Sequence, residues 1–255
     1  MIIGLHGKKG SGKTTFENIY REMVPDLFCI AFADALKRAA AWIAYENKQD
    51  FFTGRKDVVL KDVTINLKEV CFDIISFAVR YETCRALNLT PEVCLEVLEL
   101  GLRKKYGVKD DWGKICFGGI TAGRFLQELG DLTRELIHPD IWVEVVRTRL
   151  RENQSRPVLI TDIRFKNELK MVKSLSTDET PVYLFRILRK MDPKEGKKMD
   201  PNREMMEGKE VDDGRDKNHG SETALDRVSL PIIPNIGSLE TYEKTVRILL
   251  EKLIE

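Results

Sequence analysis

The alternation of apolar and polar positions divides this chain into helix-length and strand-length pieces. Met1 to His6 is a short apolar run that predicts a buried strand, followed by a glycine-rich turn and a helix from about Lys13 to Met23. Leu27 to Phe32 predicts a second strand and Asp34 to Tyr45 a second helix. This β-α-β-α opening calls for a parallel sheet covered by helices. From about Glu46 to Gly119 no strand stands out, while Leu67 to Tyr81 and Pro91 to Lys105 have helical length. Helices are expected again over Ala122–Ile137 and Asp140–Arg151, around His138-Pro139. Pro157–Thr161 and Pro181–Leu188 predict strands, Leu230–Pro234 a last strand, and Ser238–Ile254 a terminal helix with Ser238 as its N-cap. Arg189 to Gly220 differs from all of these. It is dense in charge and glycine and has almost no large apolar residues besides methionine, so it predicts a loop or a lid that orders over a ligand.

Composition narrows the picture in a few places. With 255 residues, 42% of them apolar, the chain suits one large α/β domain. A formal net charge of +1 argues against a uniform field that would draw it to nucleic acid or to an anionic membrane. No apolar run approaches membrane-spanning length, and the start resembles a strand rather than a signal peptide, so a cytoplasmic protein is expected. The five cysteines, Cys29, Cys71, Cys84, Cys94 and Cys116, include no CxxC pair and read as incidental thiols of a reducing compartment.

The chemistry begins at Gly7-Lys8-Lys9-Gly10-Ser11-Gly12-Lys13-Thr14, which fits G-x-x-x-x-G-K-[ST] at every fixed position and lies between a strand and a helix. Gly7, Gly10, Ser11, Gly12 and the residues through Thr14 and Thr15 are the expected ATP contacts. The glycines turn backbone N–H groups toward phosphate oxygens, and the helix N-terminus adds positive charge. Lys13 reaches the β- and γ-phosphates, and the Thr14 hydroxyl is a ligand for Mg²⁺. Asp162 ends the apolar strand Val158-Leu159-Ile160-Thr161, where such a fold places ligand-facing groups, and suits the water shell of Mg²⁺. It also suits the N-cap of the helix that follows; the two roles are compatible. Arg164, two residues on, is placed to face phosphate. The expected architecture is a three-layer α/β P-loop NTPase fold with a parallel sheet. A single kinase domain over residues 1–255 would hold a helical insert over about 46–120 and a lid over 189–220.

Four further segments complete a set. They are Phe32-Ala33-Asp34-Ala35-Leu36-Lys37; Gly123-Arg124-Phe125-Leu126-Gln127-Glu128-Leu129-Gly130, running on to Arg134 and Asp140-Ile141-Trp142-Val143; Asp162-Ile163-Arg164-Phe165-Lys166-Asn167-Glu168; and His219-Gly220-Ser221-Glu222. With the phosphate loop, these resemble the deoxynucleoside monophosphate kinases of tailed bacteriophages and related viral and bacterial homologues, over Met1 to about Gly237. The resemblance implies a nucleoside monophosphate kinase-like fold, with ATP as co-substrate, Mg²⁺, and a deoxynucleoside monophosphate as acceptor. It places Asp34 and Lys37 at the acceptor, Arg124, Gln127 and Arg134 toward the acceptor's phosphate or base, and Arg164 near the transferring phosphate. Asn235-Ile236-Gly237 resembles the turn beside adenine. The family commonly has Pro where Ala35 and Gly220 stand, and often Asp where Ile236 stands; none of these differences removes a charged catalytic group.

Taken alone, each segment also has a plainer reading. Phe32–Lys37 suits a strand end with an Asp-capped helix, Arg124 and Gln127 a solvated helix face, and His219–Glu222 a helix start at Ser221. For the transfer itself, Lys13, Arg164 and one or more of the arginines Arg189, Arg203 and Arg215 are expected to gather phosphate charge with Mg²⁺, with Arg189 foremost because it closes a strand. The alternatives in view are a kinase for another small phosphorylated metabolite such as phosphomevalonate, and a P-loop ATPase without a small acceptor. The sequence leaves room for a homodimer, and for a host cytoplasm if the source is viral.

Overall fold

The computed structural model describes residues 1–44, 51–52, 56–109, 111–189, 216 and 218–254. The chain forms two compact units, one made of Met1–Ala31, Asn153–Glu210 and Glu222–Glu255, the other of Phe32–Glu152 and Val211–Ser221.

The first unit is built on a five-stranded parallel sheet. Its strands are β1 (Ile2–His6), β2 (Phe28–Ile30), β5 (Val158–Ile160), β6 (Val182–Arg189) and β7 (Ile232–Asn235), in the order β2-β5-β1-β6-β7. β1 is therefore central and hydrogen-bonded on both edges, and its side chains are apolar on both faces, as a doubly covered parallel strand requires. Ile3 and Leu5 point to one face. There they meet Phe16, Ile19 and Tyr20 of α1 (Lys13–Met23) and Tyr242, Val246 and Leu250 of the C-terminal helix α9 (Leu239–Ile254). On the opposite face Ile163, Leu184 and Val172 close over Gly4, Val172 coming from α8 (Lys166–Lys173). Helix, sheet and helix make the three-layer arrangement of P-loop NTPases. The chain adds strands on one side of β1, then crosses to the other, so the carboxyl end of β1 is a topological switch point, where ligands bind in open α/β sheets. Ser238 caps α9 as its sequence suggests, accepting the Thr241 N–H at 3.2 Å.

The second unit is mostly helical. α2 (Phe32–Ile43), α3 (Leu67–Asp73), α4 (Tyr81–Ala86), α5 (Pro91–Tyr106), α6 (Ala122–Leu136) and α7 (Ile141–Arg151) enclose a core that includes Phe51, Phe117 and Phe125, the last two edge to face at 5.0 Å. α6 and α7 are tied by Trp142, whose buried Nε1 donates to Thr133 Oγ1 at 3.0 Å.

Three expectations need correction. The stretch before Gly119 is not free of strands: β3 (Val63–Asn66) pairs antiparallel with β4 (Trp112–Ile115). Each is only four residues long and its partner is remote, so neither shows as a strand locally. Leu67 to Tyr81 is not one helix. After α3 the backbone widens into a π-helical turn over Ile74–Val79, and Arg80 breaks it with φ 78 and ψ 145. The second strand is shorter than its apolar run, because Phe32 already belongs to α2. The lid expectation over 189–220 lies almost wholly outside the described residues, including Arg203 and Arg215.

Candidate phosphate-binding site

The Gly7–Thr14 loop joins the central strand to α1. Gly10 and Gly12 have φ of 74 and 109, which only glycine adopts without strain. Gly7 is required by space instead. A Cβ there would lie 2.5 Å from Ser11 Oγ and 3.0 Å from the Ile187 carbonyl. The loop folds back on itself through Ser11 N–H to Lys8 O at 3.2 Å. Lys13 Nζ turns into the loop, donating to the carbonyls of Gly7 at 2.5 Å and Lys8 at 2.9 Å. Thr14 is exposed and Thr15 half-buried at the start of α1.

Two remote side chains fix the loop. Asn235, at the end of β7, donates from Nδ2 to the Ser11 carbonyl at 2.8 Å. Tyr242 donates its phenol to the Gly12 carbonyl at 3.2 Å. Burial pushes the Tyr242 phenol up, which keeps it a donor. Gly12 accommodates both, since a Cβ would meet Asn235 Nδ2 at 2.7 Å and the Tyr242 ring at 2.8 Å. Arg189 ends β6 in register with Asn235, and its Nη1 donates to the Gly10 carbonyl at 3.3 Å. Lys13 and Arg189 thus converge on the glycine loop from two elements. Both donate to loop carbonyls, and among the described residues the space at Gly10 is open. The donor set fits a polyphosphate, whose oxygens are stronger acceptors for both cations.

β5 runs beside β1, and Ile163 N–H donates to Leu5 O at 3.0 Å, so Asp162 stands at the loop's end of the sheet. Asp162 does not begin the next helix. That helix starts at Lys166, and the buried Glu168 carboxylate caps it by accepting Arg164 N–H at 2.7 Å and Phe165 N–H at 3.0 Å. The Asn167-Glu168 end of the segment therefore has a local role, holding the backbone that presents Asp162 and Arg164. Among the described residues no cluster of three His, Cys, Asp or Glu could hold a metal by itself. A hydroxyl such as Thr14 and a carboxylate such as Asp162 fit Mg²⁺ in the usual way, with phosphate and water as the remaining ligands.

His6 precedes the loop. Its Nδ1 pairs with the Ile163 carbonyl at 2.9 Å, which requires the proton on Nδ1. Burial first, and then Arg186 and Lys13, hold its pKa below the ordinary value.

The residues expected at the acceptor all lie in the second unit. Asp34 is inside the first turn of α2 rather than capping it, and pairs with Lys37 at 3.3 Å. Arg124 pairs with Glu128 at 3.0 Å, and Arg134 with Asp131 at 3.6 Å. Gln127 clasps the backbone of Asp216, donating to its carbonyl at 3.1 Å and accepting its N–H at 2.9 Å. His219 joins Asp131 at 2.7 Å and Ser221 Oγ at 2.9 Å. The helix motif and the histidine motif thus bind one another. Sequence reasoning missed Tyr242 and the loop-holding contact of Asn235, whose partners lie 230 and 224 positions away.

No family model and no curated protein matches the chain. Among solved structures, dephospho-CoA kinase from Campylobacter jejuni is similar at 11% identity with a TM-score of 0.40, covering 99% of this chain and 96% of that one. TT1252 from Thermus thermophilus is similar at 17% identity with a TM-score of 0.38, covering 99% and 97%. Neither likeness is close enough to carry function. The sheet order and the loop define the class: a mixed α/β protein with a three-layer P-loop NTPase fold. No helix among the described residues is long and apolar enough to cross a membrane.

Proposed function

We propose that the protein is a kinase that moves the γ-phosphoryl group of ATP onto the phosphate of a small phosphorylated acceptor, with a deoxynucleoside monophosphate as the favoured acceptor. The observation that carries this reading is the convergence of Lys13 and Arg189 on an open glycine loop at the carboxyl end of the central strand. An acceptor oxygen attacks the γ-phosphorus as the bond to the β–γ bridging oxygen breaks and ADP leaves. A phosphate monoester is largely ionised at neutral pH, its second pKa being near ~6, so no strong general base is needed. Catalysis reduces to alignment and charge neutralisation. The loop N–H groups hold the polyphosphate; Lys13 and Arg189 neutralise the charge that shifts toward the leaving oxygen; Arg164 takes a transferring-phosphate oxygen. Thr14 and Asp162 would hold Mg²⁺, which supplies Lewis-acid charge to the phosphates when bound.

A second reading keeps the chemistry and changes the acceptor to another small phosphorylated metabolite. It is favoured by the pairing of Arg124 with Glu128 and of Gln127 with Asp216, which gives both motif residues work inside the protein. The test is ADP release with ATP and Mg²⁺ against each deoxynucleoside monophosphate, the ribonucleotides and phosphomevalonate. Turnover with a nucleotide, abolished in Lys13→Ala while the fold persists, supports the first reading. Turnover with phosphomevalonate alone supports the second. Acceptor-independent hydrolysis as the sole activity rules out both.

A further inference from the structure

We propose that His6 is a positioning residue for phosphoryl transfer: its ring holds the Ile163 carbonyl, and with it the backbone that presents Asp162 and Arg164 at the loop's end of the sheet. The proposal rests on the kinase reading for the roles of Asp162 and Arg164.

β5 keeps regular parallel register with β1 from Ile2 opposite Val158 to Gly4 opposite Ile160. Val158 N–H donates to the Met1 carbonyl at 3.1 Å. Bonds of this kind recur at every second residue of a parallel ladder, so the period assigns the Leu5 carbonyl to the N–H of Asp162. Ile163 N–H takes it instead, at 3.0 Å. On the other edge of β5 the regular bond from Thr161 N–H to Ile30 O is still made, at 3.1 Å. The chain therefore leaves the regular sheet between Thr161 and Ile163, with Asp162 as the extra residue. Such one-residue bulges re-aim side chains and are frequent beside active sites.

A bulge disrupts the ladder, so the segment needs other fastenings to keep one position. Ile163 supplies three. Its side chain is 1% exposed and fills the space over Gly4, where a Cβ would come within 2.6 Å of its Cδ1. Its N–H is held by Leu5, and its carbonyl accepts from His6 Nδ1 at 2.9 Å. Consecutive residues of β1 thus hold one residue, the first through backbone and the second through a side chain. The carbonyl that His6 holds shares a peptide group with the N–H of Arg164. That N–H donates to the buried Glu168 carboxylate at 2.7 Å. The plane between Ile163 and Arg164 is therefore fixed from both ends, and losing the His6 donor leaves one end loose. Rotation of this plane would carry Arg164 and Asp162 with it, and a shift of about 1 Å in a catalytic group is enough to cost ~100-fold in rate. His6 also stands directly before Gly7, so a single residue joins the root of the phosphate loop to the segment that carries Asp162 and Arg164.

The test compares His6→Asn, His6→Gln and His6→Ala in the full chain. The Asn amide nitrogen is bonded to Cγ, as Nδ1 is, and keeps a donor there; the Gln amide stands one bond further out, and Ala has no donor. Values of kcat and KM are read from ADP release with ATP and each acceptor. ATP binding is titrated by calorimetry with and without Mg²⁺. The expected result is a kcat about 10–100-fold lower in His6→Ala and His6→Gln, returning to within about threefold of wild type in His6→Asn. ATP affinity without Mg²⁺ stays nearly constant, because Asn235 and Tyr242 still hold the loop. The gain in ATP affinity on adding Mg²⁺ shrinks in His6→Ala and His6→Gln and recovers in His6→Asn. Equal losses in all three variants overturn the proposal, since the imidazole itself is then what matters. So does a wild-type kcat in His6→Ala, or a metal-free ATP affinity that falls in step with kcat, as a collapsed loop would give. If His6→Ala fails to fold by circular dichroism, the comparison of Asn with Gln decides. If the wild-type protein releases no ADP with any acceptor, the kinase reading falls and the Mg²⁺-dependent gain alone judges His6. Recovery in Asn but not in Gln then upholds the positioning role; a gain that ignores the substitutions, or no gain at all, ends it.

Discussion

Replacing Asn235 distinguishes a residue that shapes the loop from one that touches adenine. Asn235→Ala removes a 2.8 Å hydrogen bond to the Ser11 carbonyl in partly buried surroundings. A lost bond of this kind costs ~1 kcal/mol, and leaving its partner unsatisfied raises the cost to about 1–3 kcal/mol. The same loosening of the loop should weaken ATP binding by roughly 5–150-fold, since about 1.4 kcal/mol is a factor of ten. Asn235→Asp is the sharper variant. It keeps the volume but turns the donor into a carboxylate facing the Ser11 carbonyl, next to the place meant for phosphate. It should bind ATP more weakly than Asn235→Ala, and lose more affinity for ADP and for ATP alike. Thermal denaturation and calorimetric titration with ATP, GTP and inorganic tripolyphosphate provide the measurement. A loop-shaping role lowers affinity for all three ligands together. If Asn235→Ala keeps wild-type stability and tripolyphosphate affinity and loses only the preference for ATP over GTP, the loop-holding argument is wrong.

Gly7→Ala should destabilise the protein by about 1–3 kcal/mol in denaturant titration, because overpacking at this site presses on backbone as well as side chain; its new Cβ would lie 3.0 Å from the Ile187 carbonyl. Lys13→Ala should keep its melting temperature without ligand and lose turnover by several orders of magnitude, read as ADP release. His6 gives a pH signature. Its folded pKa lies below the ordinary 6.5, so the unfolded chain takes up the proton first. The stability contributed by neutral His6 is complete above that value and is lost as pH falls from it toward the folded pKa. Urea titrations between about pH 5 and 7 should show that loss, and His6→Gln should flatten it.

The elements legible in the sequence are those whose cause is local. A strand of apolar residues, a glycine-rich turn and an amphipathic helix announce β1, the loop and α1, because periodicity and φ > 0 are properties of neighbouring residues. Asp162 could be placed at a strand end for the same reason. Partners far apart in the chain left no such mark. Gln127 looks like an outward-facing residue until Asp216 arrives, 89 positions on. The antiparallel β3–β4 pair was hidden likewise, since Val63 meets Ile115 across the whole of α3, α4 and α5. Arg80 was read as helix interior because nothing in its composition signals a positive φ.

β1 is the middle strand of its sheet, and the loop grows directly from its end. Strands at the edges, β2 and β7, have a neighbour on one side only and can fray by breaking one ladder. The amide protons of β1 have no such shortcut: they reach solvent when the sheet as a whole opens. Anything gripped by the loop is therefore coupled to the cooperative unfolding of the unit rather than to a local excursion. Its binding free energy adds to the global stability as RT ln(1 + [L]/Kd). The root of the cradle thus makes the whole sheet a reporter of occupancy, including for ligands that are never turned over.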